Sequence, residues 1–246
     1  MMDFLKRMYG LSKARAEGLT PSSCRPPMPV RPFRDVLSGM AIIAEVKYAT
    51  PAEGDLGIKE SPSELAAAYQ CMGASAISCL TEPAFFSGSM GYLAEIRNAC
   101  SLPILMKDFI VDTRQIMAGR ELGADAFLLV TEMLEAGELA DLFACGRELG
   151  MDCLVEIHGL EGLEKALSIG AGIIGVNCRD LTTLTVDPKR HEEMADRLPE
   201  GVRKVAESGI SSSARLAELK RLGYDAALIG RAMARHDSRK ELLPCG

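Results

Sequence analysis

The sequence contains no tryptophan, and only 5% of its 246 residues are aromatic. Little is left for a base-stacking platform or an interfacial aromatic belt. Positive charge is also in deficit, with a formal net charge of -6, so no basic face for general nucleic-acid binding is expected. No apolar run approaches the roughly 18 residues of a membrane span. The opening MMDFLKRMYG places Asp3, Lys6 and Arg7 where a secretory leader would turn apolar. The three histidines, His158, His191 and His236, show no metal-ligand spacing, so no metal site is expected. There is no nucleophile elbow, P-loop or dinucleotide fingerprint either. Eight cysteines stand at positions 24, 71, 79, 100, 145, 153, 178 and 245 without a C-x-x-C pair. Several sit inside apolar runs, which fits reduced thiols in a cytoplasmic protein.

What is present is ordinary globular composition, 48% apolar and 25% charged, arranged periodically. Eight apolar, strand-like runs recur: AIIAEVK (41–47), SAISCLT (75–81), PILMK (103–107), DAFLLVT (125–131), DCLVEI (152–157), GIIGVN (172–177), RKVAES (203–208) and DAALIG (225–230). Between them lie helical patterns such as SPSELAAAYQCMG and SSSARLAELKRLG, opening on Ser or Asp caps and closing on Gly. Strand and helix in alternation predict parallel βαβ units.

Gly73, Gly123, Gly170 and Gly223 precede the second, fourth, sixth and eighth runs at spacings of 50, 47 and 53 residues. Four strand–helix–strand–helix quarters predict a single α/β domain, a closed (β/α)8 TIM barrel over 41–246. Residues 1–40 stand outside the repeat as an N-terminal extension. They hold a basic helical stretch at 6–17, a Pro-rich linker at 21–32, and seven Lys and Arg against three acidic residues. Such a segment serves either as a solvated arm or as a lid over an anionic ligand.

In a barrel of this kind the strands' C-terminal ends carry the chemistry. Glu45 and Lys47 end the first strand, Lys107 the third, Glu156 lies in the fifth, Asn177 and then Arg179 follow the sixth, and Glu207-Ser208 end the seventh. A single charge among Ala, Val and Ile would fit a structural ion pair. Three carboxylates and two ammoniums converging on one mouth point to catalysis. Ser208-Gly209 runs into a serine-opened helix, and Gly230 closes the eighth strand; these two loops are where barrels hold phosphate.

Six segments in order, IIAEVKYATPAEG, LTEPAFFSGS, PILMKDFIVD, LVEIHGLEGLEKAL, IGVNCRDLTTLTVD and VAESGI, resemble the indole-3-glycerol phosphate synthase family of tryptophan biosynthesis. The resemblance implies a carbon–carbon lyase. It would close, decarboxylate and dehydrate 1-(2-carboxyphenylamino)-1-deoxyribulose 5-phosphate without a cofactor. By that resemblance Lys107 is the general acid and Glu156 handles the dehydration proton. Lys47 is a second acid or a carboxylate partner, and Glu45 and Asn177 orient. Glu207, Ser208 and Arg179 contact the substrate, and Pro51, Phe86, Phe109, Leu128, Leu181 and Leu184 form the slot for its aromatic ring. Gly209, Gly230, Arg231 and Thr50 hold its phosphate. The resemblance also raises contact with neighbouring enzymes of the tryptophan pathway. The chain departs from the family pattern at Tyr48 and Ala52, where a basic residue and a serine are usual, and at Arg231. Another phosphate-binding barrel enzyme, or a catalytically silent barrel, are the competing readings.

Overall fold

A computed structural model describes residues 4–21, 28–181, 183–233 and 242. His236, Cys24, Cys245 and residues 22–27 of the Pro-rich linker lie outside the described residues. Eight parallel strands close into a barrel: β1 (Ala41–Val46), β2 (Ala76–Leu80), β3 (Ile104–Lys107), β4 (Ala126–Val130), β5 (Asp152–Ile157), β6 (Ile173–Asn177), β7 (Arg203–Glu207) and β8 (Ala226–Ile229). β1 closes the ring between β8 (Ala41 opposite Ala226) and β2 (Ile43 opposite Ala76). Each strand begins and ends within one residue of its apolar run.

The helices are α1 (Phe4–Glu17), α2 (Pro62–Cys71), α3 (Pro83–Phe86), α4 (Gly91–Ala99), α5 (Thr113–Glu121), α6 (Ala136–Glu148), α7 (Leu160–Ser168), α8 (Lys189–Ala195) and α9 (Ser213–Arg221). Ser61 caps α2 in a capping box with Glu64, Asp112 caps α5 and Ser212 caps α9, each satisfying N–H groups the helix cannot. The four repeat glycines all have positive φ, from 73° to 93° at Gly170, Gly223 and Gly73 and 100° at Gly123. They end helices in the left-handed conformation that a side chain resists.

Two apolar layers result from strand alternation. Ile42, Ala44 and Val46 of β1 face the helices, whereas Ala41 and Ile43 face the barrel interior with Leu105, Leu154, Val205 and Leu228. Phe33 and Leu37, both fully buried, close the floor of that interior. Residues 28–40 are stapled there from several sides. Arg97 donates to the Pro29 carbonyl at 2.6 Å, Arg120 to that of Met28 at 2.6 Å, and Arg31 to those of Cys100 and Leu102.

The N-terminal helix α1 lies at the opposite end. Arg15 grips Asp108 through two bonds of 2.6 and 3.1 Å, Lys13 reaches Asp112 at 3.2 Å, and Tyr9 donates to Glu138 at 2.5 Å. Phe4 stacks edge-on against Phe85 and Phe109 at 5.5 and 6.0 Å. The basic stretch is thus spent on acidic and aromatic partners beside the mouth. None of the described helices is long and apolar enough to cross a membrane.

Candidate active site

The inward parity that places Ile43, Leu105, Leu154, Val205 and Leu228 in the barrel core continues up each strand. On that parity stand Glu45 and Lys47 beyond β1, Lys107 ending β3, Glu156 in β5, Asn177 ending β6, Glu207 ending β7 and Gly230 after β8. The polar groups therefore meet above the apolar layer. They border a cavity of about 560 Å³ whose walls include Leu80, Phe86, Phe109, Leu128, Val130 and Leu181.

Lys107 is the hub. Its Nζ donates to Glu207 Oε2 at 2.6 Å and lies 3.6 Å from Glu45 Oε2. Lys47 donates to the other oxygen of Glu45. Asn177 Nδ2 donates to Glu156 Oε1 at 3.0 Å, and the Asn177 side-chain oxygen accepts from the Arg179 backbone at 2.9 Å. The amide is so oriented from both ends. Glu45, Glu156 and Glu207 are buried, at 4%, 2% and 1% exposure, so their charges interact with little screening from water.

Burial works against the charge on Lys107, but Glu207, Glu45 and Glu156 outweigh it and raise its proton affinity. Glu207 is pushed up to about 7 by burial and by Glu156 and Glu45, against the pull of Lys107. Burial would also raise Glu45, but Lys47 and Lys107 overcome it and hold that carboxyl below its ordinary value. One carboxylate is thus biased toward holding a proton while Glu45 stays ionised beside two cations, an arrangement suited to moving protons.

Two glycines make the cluster possible. A Cβ at Gly175 of β6 would overlap the Glu207 carboxylate. One at Gly230 would overlap that of Glu45 and lie 2.6 Å from Lys47 Nζ. Gly230→Ala is expected to lower kcat roughly 100-fold through misplacement of the acid–base groups, with the melting temperature little changed. Steady-state kinetics beside a thermal melt check this, and activity within twofold of the parent would refute the spacing argument.

The opposite wall is formed by the loops after β7 and β8. Ser208 and Gly209 take successive left-handed conformations, φ 66° and 68°. They turn the chain from β7 toward α9, and Ile210 and Ser211 of the connecting loop line the cavity. Gly230, Arg231 and Ala232 line the same wall. Arg231 pairs with Glu53, tying the loop after β8 to the loop after β1. Burial and the nearby Arg231 lower the proton affinity of Arg179, a sign of crowded positive charge at this end.

Of the residues singled out from sequence, Lys47, Lys107, Glu45, Glu156, Asn177, Arg179, Ser208, Gly209, Gly230, Arg231, Phe86, Phe109, Leu128 and Leu181 line this cavity. Glu207 joins through Lys107. Thr50, Pro51 and Leu184 are not among the lining residues. The Thr50 hydroxyl accepts from Glu53 N at 3.1 Å within a small hairpin formed by Ala49–Thr50 and Gly54–Asp55. The Leu184 carbonyl accepts from Arg179 at 2.7 Å. Tyr48 points outward, its ring 5.6 Å from Tyr92 and its hydroxyl donating to the Glu60 carbonyl.

Sequence reasoning gave no role to Glu82, Asp108, Glu132 and His158. Glu82 caps α3 by accepting from three backbone N–H groups, which sets Phe86 at the cavity wall. Asp108 links Arg15 of α1 to Thr81 after β2 and sits next to Lys107. The i, i+2 spacing of Glu156 and His158 was the available signal for His158. Among the described residues no three His, Cys, Asp or Glu side chains group so as to hold a metal ion, and the six described cysteines are free.

Comparison with known proteins agrees with this geometry. The chain matches the family model for indole-3-glycerol phosphate synthase over residues 12–243. It is 45% identical to the indole-3-glycerol phosphate synthase of Micrococcus luteus, over 84% of this chain and 77% of that protein. It is 39% identical to that of Chlorobium phaeovibrioides, over 94% and 89%, and 46% identical to that of Acetivibrio thermocellus, over 82% and 78%. A solved N-acetylmannosamine-6-phosphate 2-epimerase from Clostridium perfringens shares the fold alone. Its TM-score is 0.65 at 18% identity, covering 88% of this chain and 96% of that one. The chain belongs to the indole-3-glycerol phosphate synthase family of carboxy-lyases.

Proposed function

We propose that the cavity closes the indole ring of 1-(2-carboxyphenylamino)-1-deoxyribulose 5-phosphate, releasing carbon dioxide and water to give indole-3-glycerol phosphate. The observation that carries this reading is a charged Lys107 held among Glu207, Glu45 and Glu156 at the rim of an apolar-walled cavity. Ring closure puts negative charge on the ketone oxygen, and an ammonium fixed by two carboxylates can protonate it there. The slot of Phe86, Phe109, Leu128 and Leu181 takes the aromatic ring and strips water from the carboxylate that leaves as carbon dioxide. The loops at Ser208–Ser211 and Gly230–Arg231 take the phosphate at the far end.

Dehydration then needs a base and an acid. Glu156, oriented by Asn177, removes a proton from the carbon beside nitrogen, while Lys47 protonates the departing hydroxyl. The ketone oxygen leaves as water with two added protons and one carbon proton is released. The carboxylate leaves as carbon dioxide, so each turnover consumes one proton from solvent.

The test is a fluorescence assay for indole-3-glycerol phosphate with the wild type beside Glu156→Gln. Robust wild-type turnover is expected, with indole formation in the variant roughly 10²- to 10⁴-fold slower. Folded wild type that forms no indole product would remove this reading.

A further inference from the structure

His158 follows Glu156 by two residues and shares its inward parity. Its Nε2 lies 3.7 Å from Glu156 Oε1 and its Nδ1 3.0 Å from Glu132 Oε2, so the imidazole lies between two carboxylates without a formed hydrogen bond to either. Glu132, in the loop after β4, is itself held. Its Oε1 accepts from the His158 backbone N–H at 2.9 Å, and its Oε2 accepts from the Thr131 hydroxyl at 3.0 Å. The carboxylate rests in a space that exists because residue 162 is glycine. A Cβ there would come within 2.6 Å of Thr131 Oγ1 and 2.9 Å of Glu132 Oε1. Glu132 is thus a built partner for the histidine, not an exposed side chain that happens to lie near it.

This arrangement bears on Glu156. A carboxylate that removes a carbon proton must be held at the right distance and angle from that carbon. Lys107 contacts Glu207 and Glu45 directly and reaches Glu156 through its charge alone. Asn177 contributes a hydrogen bond without charge. We propose that His158, set between Glu132 and Glu156, is a positioning residue that holds Glu156 in place for the dehydration step.

The charges around His158 favour this role. Burial and Arg190 of α8 disfavour its cation, and Glu132 and Glu156 together outweigh them, so its proton affinity is raised. Burial would raise Glu132 as well, but the imidazole overcomes it and holds that carboxyl below its ordinary value. Lys165 of α7 is occupied with the Thr131 carbonyl at 3.4 Å, and Arg190 donates to the Asn177 carbonyl at 3.0 Å. The groups facing the Glu156–His158 pair are therefore Glu132, Lys165, Arg190, Asn177, Lys107 and Glu207.

The inference rests on the assignment of Glu156 as the dehydration base, and the test separates the two. kcat and KM for indole formation are measured across about pH 6–9 for wild type, His158→Gln, Glu132→Gln, Glu156→Gln and the Glu156→Gln/His158→Gln double variant. In His158→Gln kcat falls roughly tenfold, as misplacement of a reacting group predicts. KM stays within twofold. Glu132→Gln lowers kcat in the same way by less, because the imidazole loses its charged neighbour, and it serves if His158→Gln fails to fold. In the Glu156→Gln background, His158→Gln costs nothing further. An unchanged kcat in His158→Gln, a loss confined to KM, or full additivity with Glu156→Gln overturns the proposal. Full activity of Glu156→Gln overturns the assignment beneath it instead.

Discussion

Replacing Lys107 by methionine is expected to lower kcat by roughly 10³-fold or more, since it removes both the acid and the cation nearest the developing oxyanion. Lys107→Arg is not expected to restore it. A guanidinium keeps the charge but gives up its proton reluctantly, and its planar fork does not fit a site built around a point charge. The variant also reports on the ion cluster. In the wild type, Glu207 carries a folded-state value of about 7 against an ordinary 4.5. The native state thus binds more protons than the unfolded chain between those limits, and this carboxylate's contribution to stability falls as pH rises through them. Without Lys107, Glu207 and Glu45 face each other across a buried site with only Lys47 beside them. The window of falling stability should extend above pH 7, with the melting temperature of Lys107→Met dropping further between about pH 7 and 9 than that of the wild type. Parallel melting curves for the two proteins over that range would contradict the coupled-charge account.

Much of this cluster could be read from the chain, because a strand's period of two carries a side chain's direction in its residue number. Glu45 and Lys47, Glu156, Lys107 and Glu207 each stand an even number of residues above an interior apolar residue. Once eight parallel strands are inferred, their convergence follows. What escaped was whatever depends on pairing across distance or on missing volume. The bond from Arg15 to Asp108 spans 93 residues, and the approach of the His158 ring to Glu132 crosses from one strand end to the next. Gly175 reads as an ordinary strand residue and Gly230 as a phosphate-loop glycine, yet their absent side chains are where Glu207 and Glu45 fit. Helix α4 lacks the usual opening signal: it starts at Gly91 after Met90, with no side-chain cap, so local chemistry did not announce it. Thr50 and Pro51 follow Lys47 closely in sequence. The chain leaves the strand into a hairpin there, and alternation no longer dictates where a side chain points.

At the other end of the barrel, Asp125→Ala is expected to destabilise the fold by about 3–5 kcal/mol. For a chain of this length that is a fall in melting temperature of roughly 6–20 °C. Asp125 is fully buried at the start of β4. Its carboxylate accepts two bonds from Arg97 at 2.9 Å, one from the Arg31 backbone at 2.7 Å and one from the Ile104 backbone at 2.9 Å. Hydrogen bonds from α4, the floor segment and β3 therefore converge on one side chain. Alanine would leave the Arg97 guanidinium buried with the Pro29 carbonyl as its remaining acceptor from the floor segment, and an uncompensated buried charge costs more than the ion pair itself contributes. Phe33 and Leu37 plug the barrel interior from that same segment, so loosening its staple exposes apolar core as well. The loss should be smaller when the charge is removed with its partner. In the Arg97→Met/Asp125→Ala double variant the two effects should fall short of their sum by about 1–3 kcal/mol. Because the network sits at the strands' N-terminal ends and the candidate site at their C-terminal ends, kcat of the folded fraction should stay within about twofold, small against the tenfold that each 1.36 kcal/mol of barrier represents. Denaturant unfolding with activity measured on the same samples tests both halves. A stability loss under about 1 kcal/mol would show that the floor is held by packing alone, since that is no more than an ordinary hydrogen bond contributes.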